Sequence, residues 1–578
     1  MWLAPITFFK LHKLNIAVIF LYLLFTFIFT FPLFLHISTF TPMADGQGDQ
    51  FQYIWMFWWL KTALFNLKTN PLYTNFVYYP CGTSLIYHMP IFLSLLALPF
   101  QYLFGSPANL IIGYNLILVF TFVLSGFGVY LLIKYLVKDP VTAFICGLLF
   151  AFCPYRLWHL NHINLLSTEW IPFFILYLIR SVNERTLRNF LWVGVFFILT
   201  FLSDFTCALF LVLFTLIYLV YLLVKVRKRL KDKKVIKNSC IALFTVIIIL
   251  SPLFYSLSST KIAWQPSIDE LGHYSANLGG YLLPVKERSL LGGYFLPSQR
   301  DYNGVAGGEL FLGYILIFFV LYTWIKLRKE KIKFWFFSSL VFLILSLGHA
   351  LHIYNHSYYF KWLPYNLLYT YIPLLQIGRT PYRFSLMVTF CLIIFSSYGF
   401  TRFFNLSHAQ NKNLSDLKNF FQGFLVKKGV PVVIVLLTCL EFIVLPIKLI
   451  RVEVPECYQE IKNMPEEFAI LERPVFSRGA GLRGNVYMLY QTVHGKQVVN
   501  GYLPRPSYHS RDFLQEILPN DQITLDMELR DKLAKNNVKY VTYHEEFDRP
   551  IKELLKIEDI HCFTIEEEPA SVKVFKTF

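Results

Sequence analysis

The sequence predicts a mainly α-helical, polytopic membrane protein. Of its 578 residues, 56% are hydrophobic and only 15% are charged, and its mean hydropathy of +0.49 indicates a chain too apolar for a soluble domain. Long apolar runs recur along most of the chain, as expected of helices that cross a bilayer. The formal net charge of +17 would suit nucleic acid, but the basic residues cluster in short loops between apolar runs, where membrane orientation explains them. Nucleic-acid binding is therefore excluded.

The first apolar run, residues 16–36, follows a pair of lysines, so the positive-inside rule places the amino terminus in the cytoplasm. Residues 37–107 then form the first outer loop. Within it, residues 51–66 are rich in tryptophan, which is typical of an interfacial helix. Residues 90–105 are apolar but short for a crossing. If this segment stays at the outer interface, the basic loops downstream all become cytoplasmic, as the charge rule requires.

This topology gives about eleven transmembrane helices in a domain that covers residues 1–450. After the first span, the predicted spans are residues 108–133, 140–154, 165–180, 189–204, 206–224, 238–257, 308–325, 334–349, 384–401 and 430–450. We expect a multi-pass protein of the plasma membrane. The odd number of spans places residues 451–578 outside.

Residues 451–578 differ sharply in composition from the rest. They hold 21 of the 36 acidic residues but only 17 of the 53 basic ones, which predicts a separate soluble domain on the outer face. Residues 538–543 and 571–575 alternate in polarity like strands, and residues 525–536 read as a helix. We predict a small α/β domain.

Few carboxylates remain for chemistry on the outer face, because only 15 of the 36 acidic residues precede residue 451. Asp45 and Asp49 follow the first span, and Gly46 and Gly48 allow a tight path between them. A carboxylate there could accept a proton from a sugar hydroxyl or help to hold a divalent cation, Mg²⁺ or Mn²⁺. An Asx-turn followed by a helix N-cap at Asp49 explains the same residues equally well.

The loop after the third predicted span carries His159 and His162 at a spacing of three. On one helical face they could bind a metal or contact a phosphate, although hydrogen-bonded interfacial histidines are more common. Glu169 lies a turn or two into the next span, where an ionisable group is costly and often functional. A pairing with Arg156 or a histidine is the structural alternative.

Two arginines, Arg379 and Arg383, stand just before the span at residues 384–401. The planar guanidinium suits a phosphate, although arginines at a span end also reach lipid head groups without a specific ligand. Glu309, at the mouth of another span, is a candidate substrate contact or a plain helix-start carboxylate. His494 and Arg505 lie in a glycine-containing stretch that could fold back over the site and recognise an acceptor, or form structural turns.

The organisation of the chain resembles the GT-C superfamily of polyprenyl-phosphate-dependent glycosyltransferases. The shared plan is a first span, an outer loop with an aspartate in Gly48-Asp49-Gln50, interfacial helices, many spans and a carboxyl-terminal outer domain. The closest resemblance is to YfhO-type membrane proteins and to the 6-pyruvoyl-tetrahydropterin synthase-related membrane proteins. The local strings that carry it are GDQFQYIW at residue 48, YPCG at residue 79, GRTPYRF at residue 378 and YQTVHGKQVVNGYLPR at residue 490.

This resemblance implies a GT-C-like bundle that transfers a sugar from a polyprenyl-phosphate-linked donor to a glycan, lipid or protein acceptor. It assigns the general base to Asp49, with Asp45 in support, and leaves Arg379 and Arg383 to hold the donor phosphate among the membrane lipids. GT-C enzymes often carry a second acidic motif in the next outer loop, which here has histidines instead, so metal dependence stays open. A transporter or lipid flippase and a non-catalytic membrane scaffold are the rival functions.

Overall fold

The computed structural model describes most of the chain. The residues described are 4–43, 48–103, 107–259, 268–286, 297–298, 308–360, 362–372, 378, 380–409, 429–473, 481–503, 508–517, 527–544, 562–565 and 572–576. All structural statements below concern these residues.

Helices make up most of the described structure. The α-helices are α1 (Ala4–Phe29), α2 (Asp49–Lys61), α3 (Ile91–Ala97), α4 (Ala108–Val137), α5 (Pro140–Ala151), α6 (Pro154–Trp158), α7 (Ile163–Leu166), α8 (Trp170–Glu184), α9 (Leu187–Ser203), α10 (Phe205–Lys225), α11 (Arg227–Leu230), α12 (Lys233–Ser259), α13 (Ile268–His273), α14 (Tyr314–Lys326), α15 (Glu330–Ser346), α16 (Pro364–Tyr371), α17 (Ser385–Ala409), α18 (Val430–Phe442), α19 (Cys457–Asn463), α20 (Gly481–His494), α21 (Tyr508–Ile517) and α22 (Met527–Lys535). Short 3₁₀ turns lie at Leu33–His36, Pro99–Tyr102, Leu278–Tyr281, Gly308–Leu310 and Pro381–Phe384, and a π turn at Thr62–Asn66.

The strands are short and form four separate sheets in the described chain. They are β1 (Phe40–Pro42), β2 (Tyr73–Thr74), β3 (Thr83–Ser84), β4 (Leu351–Ile353), β5 (His356–Tyr358), β6 (Leu449–Arg451), β7 (Ala469–Arg473), β8 (Gln497–Val498), β9 (Val538–His544), β10 (Cys562–Ile565) and β11 (Val572–Lys576). Strand β2 pairs with β3 and β4 with β5, and both pairs are antiparallel. The largest sheet has five strands in the order β10-β11-β9-β7-β8.

Six helical stretches in the described part are long and apolar enough to cross a membrane: Ala108–Val137, Pro140–Trp158, Ile163–Glu184, Phe205–Lys225, Lys233–Ser258 and Pro381–Asn405. Further apolar helices of 10–17 residues lie at Lys13–Phe29, Ile91–Tyr102, Leu187–Ser203, Tyr314–Lys326 and Val430–Phe442. Every one of the eleven predicted spans contains a helix. These helices support the prediction of an integral, mainly helical membrane protein, whereas the number of crossings and the side on which each terminus lies remain predictions.

Helix α4 lies at the centre of the bundle and packs against α1, α5 and α8. Small residues permit the close approach at this point. Gly126 of α4 and Gly147 of α5 leave room for the buried ring of Tyr22 from α1. The Tyr22 hydroxyl donates a hydrogen bond to the carbonyl of Phe144 at 3.0 Å, so its polar end is satisfied inside the apolar core.

Helix α2 occupies the predicted interfacial segment, but protein covers it. Between Gln50 and Leu60, every side chain except that of Trp58 is buried. Helix α20, from the carboxyl-terminal region, packs along α2, and its Gln491 accepts a hydrogen bond from the indole of Trp55 at 2.6 Å. The prediction of a helix here is confirmed. Aromatic side chains suit such a packed contact as well as a lipid surface, and the place of α2 at the membrane interface stays a prediction.

The region after residue 450 contains the five-stranded sheet and several helices. The predicted strands are confirmed as β9 and β11, which pair antiparallel, and the predicted helix as α22. Strand β7 runs parallel to β9. Strand β6 pairs antiparallel with β1, joining the start of this region to the first loop. A separate domain over residues 451–578 remains a prediction.

Candidate active site

Asp49 is the first residue of α2. The preceding residue, Gly48, has a φ of 69°, a left-handed conformation that glycine adopts without strain. It turns the chain from the β1 side into the helix. The unpaired N–H groups at a helix amino end favour a negative charge, so the local fold stabilises an ionised carboxylate at this position.

The Asp49 carboxylate contacts side chains from two distant parts of the chain. Oδ2 lies 2.6 Å from Nε2 of His162, and Oδ1 accepts a hydrogen bond from Nδ2 of Asn485 at 3.0 Å. The Asp49 side chain is 14% exposed, and Asn485 is fully buried. We call these three residues the Asp49 clamp.

His162 is a donor to the carboxylate through Nε2, because an ionised carboxylate only accepts. Its Nδ1 lies 3.1 Å from Oδ1 of Asn161. Both ring nitrogens of His162 therefore lie within hydrogen-bond distance of a neighbouring side chain.

His159 is buried beside the clamp and plays a different part. Burial lowers its pKa well below the usual value, and the nearby His162 acts in the same direction. The neutral ring donates through Nδ1 to the Tyr155 carbonyl at 2.6 Å. Nε2 must then accept from the Tyr382 hydroxyl at 3.2 Å. This pair connects the loop of His162 to the segment that begins α17.

The structure corrects the prediction that His159 and His162 share a helical face. Helix α6 ends at Trp158 and α7 begins at Ile163, so both histidines lie in the turn between them. Their ring centroids are 5.8 Å apart with the planes at 74°, and hydrogen bonds engage both nitrogens of His159. In the part of the chain that the structure describes, no group of three or more His, Cys, Asp or Glu residues could hold a metal. The two histidines therefore do not fit a shared metal site.

Arg383 stands behind the histidines as a partly buried cation. Its guanidinium is hydrogen-bonded to the hydroxyl of Tyr382, and the Asp204 carboxylate is near enough to act on it electrostatically. Asp204 also accepts a hydrogen bond from Asn164 at 2.7 Å and caps α10 through the N–H of Cys207. A chain of contacts thus runs from Arg383 through Tyr382, His159 and His162 to Asp49.

Glu309 and Glu169, predicted as substrate contacts, are both buried. Glu309 lies close enough to Tyr382 to act on it electrostatically, which brings it to the Arg383 end of the site. Oε1 of Glu169 accepts a hydrogen bond from Ser167 at 2.7 Å, and Arg156 interacts with its charge. Glu169 therefore lies near Arg156, as the structural alternative for this residue expects.

Other predicted site residues lie elsewhere. Asp45, Arg379 and Arg505 fall outside the described residues. His494 ends helix α20 instead of lying in a loop, and its ring stacks on Tyr458 with centroids 5.3 Å apart. It therefore faces the carboxyl-terminal region and not Asp49. Helix α20, which precedes this stretch, brings Asn485 to Asp49.

Sequence reasoning missed several residues that the fold brings together. Asn485 lies 436 positions from Asp49, and an isolated asparagine on a helix carries no local signal. Tyr382 lies in the GRTPYRF string, between Arg379 and Arg383. Asp204 ends the predicted span at residues 189–204, and its charge, opposite to that of Arg383, is the signal that could have joined the two.

The model of one protein family, described as a domain of unknown function (DUF6311), matches residues 18–410. The chain belongs to the DUF6311 family. The matched part of this DUF6311 protein contains Asp49, His162 and Arg383, whereas Asn485 lies beyond it. A search of curated proteins finds no match.

Solved structures of membrane proteins resemble this DUF6311 protein at low identity. The apo oligosaccharyltransferase of Archaeoglobus fulgidus is 13% identical over 92% of this chain and 70% of its own, with a TM-score of 0.47. The same organism's AglB, in complex with an inhibitory peptide and a dolichol-phosphate, gives 13%, the same coverage and 0.42. ArnT from Cupriavidus metallidurans, bound to undecaprenyl phosphate, is 10% identical over 100% of this chain and 99% of its own, with a TM-score of 0.47.

Proposed function

We propose that the protein is a membrane glycosyltransferase that moves a sugar from a polyprenyl-phosphate-linked donor to an acceptor on the outer face of the membrane. The observation that carries the proposal is the Asp49 clamp. A partly exposed carboxylate, held by His162 at 2.6 Å and Asn485 at 3.0 Å, follows the first span directly, where the GT-C resemblance expects a catalytic aspartate. Held in this way, the carboxylate is suited to receive a proton from a bound hydroxyl.

In the proposed reaction, Asp49 takes the proton of the acceptor hydroxyl. The hydroxyl oxygen forms a bond to the anomeric carbon as the bond from that carbon to the phosphate oxygen breaks. The polyprenyl phosphate leaves with the electron pair, and attack opposite the leaving group inverts the anomeric centre. A positioned base of this kind contributes about 10²- to 10⁴-fold in rate.

Arg383 is proposed to bind the donor phosphate. It is a cation already placed by Tyr382 and Asp204, and a guanidinium offers paired donors to phosphate oxygens. Arg379, four positions earlier, would add a second cation, and Glu309 would contact the sugar. His494 is too far into the carboxyl-terminal packing to take part, whereas Arg505 stays a candidate acceptor contact.

A divalent cation stays a separate proposal, restricted to Asp45 and Asp49. Carboxylate oxygens are the ligands that Mg²⁺ and Mn²⁺ prefer. The histidine pair is not part of it, because His159 donates to one neighbour and accepts from another. The finer resemblance to YfhO-type and 6-pyruvoyl-tetrahydropterin synthase-related membrane proteins likewise stays a proposal.

The test uses the purified full-length protein in nanodiscs with a panel of undecaprenyl-phosphate-linked monosaccharides, following release of undecaprenyl phosphate. We expect Asp49→Asn to lower kcat by about 10²- to 10⁴-fold, since it keeps the size of the side chain but loses the base and one of the two acceptor oxygens. Arg383→Gln should weaken donor binding by roughly 10- to 100-fold, the worth of a hydrogen bond to a charged group. Glu184→Gln is the control, because Glu184 pairs with Arg180 on an exposed helix end far along the chain from the site.

Wild-type turnover by Asp49→Asn would overturn the proposal. Donor uptake or lipid movement across proteoliposomes without sugar transfer would favour a transporter or flippase. Absence of both transfer and undecaprenyl phosphate binding would favour a non-catalytic scaffold. Measurement of transfer with added EDTA, Mg²⁺ or Mn²⁺ decides the role of a cation.

A further inference from the structure

The carboxyl-terminal region reaches into the site through one side chain. Asn485 lies on α20 and donates a hydrogen bond to Asp49, which lies on α2. Asn485 is fully buried, so bulk water does not compete with its side chain as the hydrogen-bond donor to Asp49. The contact joins the first outer loop to the region after residue 450.

A second contact between the same helices fixes their register. Trp55 lies six residues after Asp49, and Gln491 lies six residues after Asn485. Their side chains are also hydrogen-bonded, at 2.6 Å. Six residues advance an α-helix by about 9 Å. Because the two hydrogen bonds are six residues apart on both helices, α2 and α20 run side by side in the same direction. The Asn485 contact therefore belongs to an extended helix–helix interface.

The segment that follows α20 also contacts the first loop. The N–H of Leu503 donates to the Tyr78 hydroxyl at 2.9 Å. A side chain at Gly501 would press on Val77 and Tyr78 at 3.0 and 3.2 Å. The contact between Asn485 and Asp49 is therefore one of several between the first loop and the region after residue 450.

We propose that Asn485 is a positioning residue for Asp49, working with His162, so that the carboxyl-terminal region completes the active site instead of only recognising the acceptor. This inference rests on the proposed function for its catalytic meaning. Nδ2 of Asn485 holds one carboxylate oxygen and Nε2 of His162 holds the other. Together they restrict rotation of the carboxylate and fix the direction in which it receives a proton.

The kinetic test separates positioning from substrate binding. Asn485→Ala removes the donor, and we expect kcat to fall by roughly 10- to 100-fold, as for a hydrogen bond to a charged group, with the donor KM within about twofold of wild type. Asn485→Asp should be worse, because it puts a second carboxylate against the first. Thr492→Val is the matched control on α20, since the Thr492 hydroxyl bonds only to the carbonyl of Leu489 in its own helix.

A raised KM with unchanged kcat for Asn485→Ala would overturn the positioning role, as would an equal loss in Thr492→Val. A second measurement needs no substrate. The melting temperatures of Asp49→Ala, Asn485→Ala and the double variant form a cycle, and we expect the two single shifts to add to more than the shift of the double variant.

Additive shifts of the melting temperature would overturn the Asp49–Asn485 contact, whether or not the protein transfers a sugar. Coupled shifts together with a wild-type protein that transfers no sugar from any donor would overturn the proposed function while supporting the contact. The two failures are thus distinguishable.

Discussion

Gln491 is the residue whose replacement should most directly loosen the carboxyl-terminal region from the first loop. It is fully buried and makes three hydrogen bonds. Oε1 accepts from the Trp55 indole at 2.6 Å, and Nε2 donates to the carbonyls of Phe76 at 2.5 Å and Lys496 at 2.8 Å. Gln491→Leu keeps a similar volume and removes all three.

The magnitude follows from what each partner loses. The Trp55 indole is fully buried, so its N–H is left unsatisfied at a cost of about 1–3 kcal/mol. The Phe76 carbonyl keeps the N–H of Val498 as a partner, so its loss is that of one ordinary hydrogen bond, about 0.5–1.5 kcal/mol, and we take the same value for Lys496. The total is roughly 2–6 kcal/mol. Since 1.4 kcal/mol is a factor of ten, local opening should rise at least about 30-fold.

Hydrogen exchange followed by mass spectrometry measures this opening. We expect faster exchange in α2 and α20 of Gln491→Leu, with no change in the remote helix α12. Adding Trp55→Phe removes the unsatisfied donor and should recover part of the loss. Unchanged exchange in both helices of a folded variant would refute the reasoning. An equal rise throughout the protein would do the same, because it would assign Gln491 to global stability.

Two further predictions concern stability. Burial lowers the pKa of His494 to about 4, from an unfolded value near 6.5. Between these two pH values the His494 imidazole binds a proton in the unfolded chain but stays neutral in the folded chain. Stability should therefore fall by up to about 3 kcal/mol between pH 6.5 and 4, and the melting temperature of His494→Gln should show a weaker pH dependence than wild type. Gly147→Ala should greatly reduce the yield and melting temperature of folded protein, because its Cβ would collide with the Tyr22 hydroxyl and approach the carbonyl of Gly126 to 2.5 Å. Gly194→Ala is the mild comparison, since its Cβ would meet only a Val246 methyl at 3.1 Å and a more distant carbonyl.

The helical part of the fold could be predicted because its signal is local. A window of about 20 apolar residues specifies a helix that buries its backbone polar groups, whatever lies around it. The alternating polar and apolar residues of β9 are likewise a local signal, and they predict a strand. What surrounds a helix is a tertiary property. The aromatic composition of α2 predicts an interfacial helix, but it does not predict that α20 packs along it.

The site was predictable only in part, for a related reason. Asp49 stands out because few carboxylates remain in the first 450 residues, and Arg383 because two arginines precede a span. His162 was singled out by its spacing from His159, which has meaning only on a helix, yet the turn after Trp158 gives the two rings separate partners. The contact of Asp49 with Asn485 spans 436 positions and involves a residue type that occurs in many exposed turns, so no pattern in a single sequence marks it.

Two independent attachments hold the ends of the segment that presents Asp49. Before it, β1 pairs with β6, and the N–H of Met43 donates to the carbonyl of Lys448 at 2.9 Å. After it, α2 packs along α20 through the Trp55–Gln491 hydrogen bond. Both attachments come from the chain beyond residue 440. Contacts with the carboxyl-terminal region therefore lie both before and after Asp49 in the chain, and we expect movement of that region to shift Asp49 relative to His162. For this reason we expect the position of Asp49, and not only acceptor recognition, to depend on the part of the chain that the DUF6311 match leaves uncovered.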